Sequence, residues 1–230
     1  MKGNTPFRLL ALLCTVGFAI APLLVFIVAP IEPMQGFIQK IFYFHVPCAW
    51  SMFLGGILSG IGGGLYLFTR GKRGEALTLV GAELAVLFGL LVMTTGPLWA
   101  RVAWGHYWVW DVRLTTSALV FLTFIAVLVG RRFSGVAGPK VAAGLALFGA
   151  INVPFVYISV RIWSAIHPKT SVVPTLTGKM RLAFFVSLAT FTLLFALIMW
   201  IRLRIHHSEQ RLDTVMLNLQ EAEANMEAPR

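Results

Sequence analysis

The sequence predicts an all-α membrane protein, a polytopic bundle of six transmembrane helices with both termini in the cytoplasm. Three observations carry this. Of 230 residues, 58% are hydrophobic and only 12% charged, with a mean hydropathy of +0.81, whereas soluble domains run nearer half apolar and a quarter charged. Six apolar runs come close to the roughly 20 residues needed to cross a ~30 Å hydrocarbon layer, at about 9–29, 47–68, 77–98, 115–130, 141–160 and 182–201. The cations behind the net charge of +10 sit in the short segments between these runs, a pattern of membrane topology rather than of a nucleic-acid surface.

The first run follows Lys2 and Arg8 as a signal peptide would. Its apolar stretch exceeds the usual core of about 7–15 residues and no clean small-residue cleavage site follows, so it reads as an uncleaved first span. Pro30 and Pro33 then turn the chain. The second run carries Gly56, Gly60 and Gly64 at four-residue intervals, a small-residue face on which another helix can approach closely. Gly71 and Gly74 mark the next turn, and Gly96–Pro97 the expected end of the third run. Glu83, near the inner end of that run, is the only acidic residue expected within a span. The fourth run is the shortest and open to extension back into the segment before it. Ser134–Gly135 and Gly138–Pro139 precede the fifth, which Asn152 and Pro154 interrupt with an expected kink. Residues 1–205 form one transmembrane domain. Residues 206–230 turn polar, with Leu212, Val215, Met216 and Leu219 at helical spacing; a short amphipathic helix on the membrane or on a partner, and a frayed tail, are both open.

Orientation follows from charge. With the N-terminus inside, 12 cations fall on the inner side and 7 (Lys40, Arg101, Arg113, Arg161, Lys169, Lys179 and Arg181) on the outer. Seven is a large number for translocated loops, so some of them are expected to have a specific role. Cys14 and Cys48 have no CxxC or zinc spacing and read as small packing residues.

The outer segments are then 30–46, 99–114 and 161–181. They bring together "FYFHVPCAW" with His45, "WGHYWVWDVRLTT" with Trp104, Trp108, Trp110, Asp111 and Arg113, and "SAIHPKTS" with His167. Tryptophans at a membrane boundary anchor a protein at the interface; they also make flat platforms for planar ligands. Neutral imidazoles are good iron ligands, and haem is a flat apolar ring bearing two carboxylates. Arg101 and Arg113 are of the right chemistry to pair with those propionates. His106 shares the loop and is a further candidate. His206 and His207 fall on the opposite side. Asp111 bonds a backbone amide, offsets Arg113 or belongs to the platform.

"WGHYWVWDVRLT" fits WGxxWxWDxRLT, and the chain thereby resembles the tryptophan-rich (WWD) haem-handling proteins of cytochrome c maturation. Its RLT ending resembles the haem-delivery branch, protein C (CcmC). "HVPCAW", "GAELAVLFGLLVMTTGPLWAR", "NVPFVYISVRIW" and "IHP" resemble other segments of that branch, and the resemblance covers essentially residues 1–205. Cys48 stands where serine is common, and Pro168 where glutamine often follows the second histidine. The resemblance implies that His45 and His167 are axial ligands to haem b carried as cargo. Trp104, Trp108, Trp110 and Asp111 would present it on the extracytoplasmic side of the bacterial inner membrane. It further implies delivery to a periplasmic haem chaperone, in company with ABC-type ATPase and permease subunits and a small membrane adaptor. On this reading the chain binds and delivers rather than catalyses. A haem permease, a cytochrome b-type redox enzyme and a haem–apocytochrome lyase are the other readings; histidine pairs deep in the bundle, required by the redox enzyme, are missing from the sequence.

Overall fold

The computed structural model describes residues 5–163 and 172–227. Its described residues are almost wholly helical: α1 Thr5–Leu23, α2 Phe42–Thr69, α3 Lys72–Trp104, α4 Val112–Phe133, α5 Gly138–Ile162, the single turn α6 Val172–Thr175, and α7 Gly178–Glu227. Six of its helical segments are long and apolar enough to cross a membrane. Large apolar side chains such as Leu12, Ile61, Leu122 and Ile151 point outward on these helices, as expected where the surrounding solvent is hydrocarbon.

The centre is α2, enclosed on two sides by glycine faces. One is the expected face: a Cβ on Gly56 would lie 2.7 Å from the Phe124 ring, and one on Gly60 would collide with Ala150 of α5. The second went unrecognised in the sequence. Gly55 and Ser59 of α2 meet Gly81 and Ala85 of α3 backbone to backbone, and further along the same helices Gly62 meets Gly74 and Thr78. Ser59 Oγ donates across this seam to the Thr78 carbonyl at 2.7 Å. Without a hydrophobic force between helices in lipid, close backbone approach and such bonds supply the attraction.

Around this seam the other helices add in pairs. Phe124 of α4, fully buried, lies against both Gly56 and Gly149. The outermost helix, α1, leans on α7 through Phe7–Trp200 and Phe18–Phe191 ring contacts. Two ion pairs tie helices together: Arg131 of α4 to Glu75 of α3 at 2.6 Å, and Arg202 of α7 to Glu83 of α3 through two 2.7 Å bonds. Glu83 is thus committed to a guanidinium.

Two local expectations are revised. Gly96–Pro97 does not end α3, which continues two turns to Trp104 and stops at Gly105, a residue at φ +81°. Proline removes one backbone hydrogen bond, and in an apolar bundle the helix remains the best way to satisfy the others. α5 runs on through Pro154, the position of the expected kink. The sixth span and the amphipathic tail form one 50-residue helix, unbroken through residue 205, on which Leu212, Val215, Met216 and Leu219 are exposed. The fourth span does extend back, beginning at Val112.

Candidate functional site

At the end of the bundle where α2 begins and α3 ends, His45 lies in the first turn of α2 and is almost fully buried. Its imidazole is held by one turn of α3. Thr95 Oγ1 lies 2.8 Å from Nδ1, the Gly96 backbone leaves room for Cε1, and the Trp99 ring meets it edge-on at 5.9 Å. Trp99 is itself fixed: its Nε1–H donates to Gln35 Oε1 at 2.9 Å, and its ring stacks on Trp104 at 6.3 Å. Gln35 and Trp99 were not among the residues singled out from the sequence, although Trp99 sits in the same aromatic-rich segment, 99–114.

The segment 105–111 then crosses to α4. Asp111 is the N-cap of that helix, its Oδ1 accepting the Leu114 amide at 2.7 Å, which satisfies one of the orphan donors of the first turn. The cap places Arg113 in the first turn of α4, facing inward. A cavity of about 80 Å³ lies between α2, α3 and α4, lined among others by His45, Trp104, Trp108, Arg113, Ser117 and Met52. Two buried donors in its wall, Trp108 Nε1 and Arg113 Nη1, have no hydrogen-bond partner. A buried donor left unpaired costs about 1–3 kcal/mol, more when charged, so the cavity is built to receive an acceptor. Its size accommodates a carboxylate or a few waters, each water occupying about 30 Å³.

Four of the eight residues nominated from the sequence therefore share one cavity: His45, Trp104, Trp108 and Arg113. Trp110 is mostly exposed and meets Trp108 edge-on at 5.6 Å, extending the indole surface outward. Asp111 lies behind the cavity as the cap. Arg101 turns away, donating to the Gly105 carbonyl at 2.5 Å and covering the Tyr107 ring. His167 lies outside the described residues. His106 is exposed and does not line the cavity. His206 and His207 lie in the distal half of α7, far from the site; His207 Nδ1 contacts the Leu203 carbonyl at 2.7 Å. Among the cations expected on the outer side, Lys40 serves the fold. It is buried, donates from Nζ to the Ala29 and Pro30 carbonyls at 2.6 and 3.2 Å, and fastens the chain leaving α1. Among the described residues no cluster of three or more His, Cys, Asp or Glu side chains is arranged to hold a bare metal ion.

Fold and site together define a multi-pass helical membrane protein, with a small indole- and imidazole-walled cavity at one end of the bundle. The described residues contain no strand. The chain belongs to the Heme exporter protein C family, whose model matches residues 4–218. It is 34% identical over 145 residues to a putative cytochrome c biosynthesis ccmC-like mitochondrial protein of Marchantia polymorpha, covering 63% of this chain and 62% of that one. It is also 34% identical over 175 residues to the Heme exporter protein C of Bradyrhizobium diazoefficiens (74% and 65%). Against the protein of the same name in Escherichia coli it is 30% identical over 148 residues (60% and 58%). The matched part is under two thirds of each relative's length.

Proposed function

We propose that this protein holds haem at the extracytoplasmic face of the inner membrane during cytochrome c biogenesis and delivers it to a periplasmic haem chaperone. The observation that carries the reading is the shared cavity. One wall offers an imidazole, and the others offer an indole N–H and a guanidinium N–H that are buried and unpaired. That is the donor set for an iron-bearing, carboxylate-bearing flat ring. His45 supplies a ligand to iron, Arg113 and Trp108 bind a propionate, and Trp104 and Trp110 extend the apolar surface. The cavity is far smaller than the roughly 300–1,000 Å³ of pockets that enclose whole ligands. The carboxylate enters it and the ring stays at the open side, from which it can be surrendered.

His167 is the proposed second axial ligand, and haem b the cargo. Both termini are proposed to lie in the cytoplasm, with ABC-type ATPase and permease subunits and a small adaptor as partners. The test is the absorption spectrum of the purified protein. Two neutral imidazoles give low-spin six-coordinate haem. His45→Ala leaves an iron that binds added imidazole, and His45→Ala with His167→Ala nearly abolishes stable binding. Arg113→Gln weakens retention without altering spin state. A normal low-spin spectrum in the double histidine variant would sink the assignment, and loss of the spectrum in His106→Ala alone would move it to that neighbour.

A further inference from the structure

The Thr95 hydroxyl has one proton and two close neighbours. Oγ1 lies 2.6 Å from the Leu91 carbonyl oxygen and 2.8 Å from His45 Nδ1. A carbonyl oxygen can only accept, so the hydroxyl proton goes to Leu91. Toward the imidazole, Oγ1 can then only accept, and Nδ1 must carry the hydrogen. In a neutral ring that makes Nε2 the unprotonated nitrogen, the form in which imidazole binds a metal. The same turn of α3 fixes the ring's position, because a Cβ on Gly96 would lie 3.1 Å from His45 Cε1 and Trp99 closes the adjoining side.

We infer that Thr95 is the positioning residue of His45: it selects the Nδ1–H tautomer and aims Nε2 at the cargo iron. The inference rests on the reading of His45 as an iron ligand given above. Partners of this kind orient a ligating imidazole and raise its basicity, and removing one typically costs about 10- to 100-fold in metal affinity. Neighbouring Thr94 provides the contrast. Its hydroxyl bonds the Leu90 and Leu91 carbonyls at 3.0 Å and does not touch His45.

The experiment uses the full chain with Thr95→Val, Thr95→Ser and the control Thr94→Val. Nitrogen-15 NMR of labelled histidine in haem-free membranes reads the tautomer directly, with His45→Ala assigning the signal. Wild type, Thr95→Ser and Thr94→Val show Nδ1 protonated and Nε2 unprotonated; Thr95→Val gains the Nε2–H form. Haem-loaded Thr95→Val retains haem about 10- to 100-fold less tightly, and its midpoint potential rises because the ligand has become less basic. Thr95→Ser restores both. An unchanged tautomer in Thr95→Val overturns the inference, as does haem affinity equal to that of Thr94→Val. Should the tautomer change while His45→Ala leaves the haem spectrum intact, the hydrogen bond stands but the ligand reading falls, and the positioning role with it.

Discussion

Alanine at Gly81 would place a methyl group 2.6 Å from the Ser59 amide nitrogen and 2.9 Å from both the Gly55 carbonyl oxygen and the Ser59 Cα. All three atoms belong to the α2 backbone, so no side chain can rotate out of the way. Comfortable contact starts at 3.4 Å, and α2 and α3 must therefore part by about 0.8 Å at this point. Overpacking of this kind costs about 1–3 kcal/mol. Parting the helices also stretches the 2.7 Å bond from Ser59 Oγ to the Thr78 carbonyl, worth about 1 kcal/mol. Alanine's better helix propensity returns at most about 1 kcal/mol. The net expectation is a loss of about 2 kcal/mol. Gly144→Ala is the matched control, because a Cβ there meets nothing within 4 Å and only the propensity gain remains. Equilibrium unfolding of both variants in the same mild detergent measures the difference. If Gly81→Ala proves as stable as Gly144→Ala, the backbone seam is not what joins α2 to α3.

Two further outcomes are expected. Glu83→Gln removes the carboxylate from a two-bond pair with Arg202 whose side chains are about one third exposed. A loss of about 1–2 kcal/mol, between the values for exposed and buried pairs, should appear in the same unfolding assay, and Glu83→Arg combined with Arg202→Glu should recover part of it. A reporter fused after residue 230 is expected to be active only in the cytoplasm and one inserted at Gly105 only outside; activity of both on one side would refute the proposed orientation.

Span number and helical class were legible because apolar length is a direct physical requirement of the bilayer, and it survives in composition alone. The ends were less so. Gly96–Pro97 reads as punctuation in water, where a broken helix can hydrogen-bond to solvent; in the bundle α3 runs on to Trp104. The Gly56–Gly60–Gly64 face was visible through its four-residue spacing. The Gly55–Gly62 and Gly74–Gly81 seam was missed because its members are seven residues apart, with Ser59 and Thr78 between them. At the site, His45, Trp104, Trp108 and Arg113 could be named from residue chemistry and the motif. Thr95 could not, because a threonine within a helical run ordinarily bonds its own backbone, as Thr94 does. Its second neighbour exists only once α2 and α3 are packed. Arg101 and Arg113 were indistinguishable in sequence; the α3 terminus at Gly105 and the Asp111 cap send one outward and the other in.

The length of α7 makes it a beam. Its 50 residues extend about 75 Å, and the Glu83–Arg202 pair grips it almost at mid-length, with 24 residues from Gly178 to the grip and 25 beyond it to Glu227. Each arm is about 36 Å long. The inner arm is held at further points, with Phe191 and Trp200 seated against Phe18 and Phe7 of α1. The tip within the bundle carries Met180 and Phe184, which pack in the same cluster as Phe42, Tyr43 and Trp99. The beam thus joins the polar end of the chain to a packing cluster whose nearest α2 member, Tyr43, lies two residues from His45.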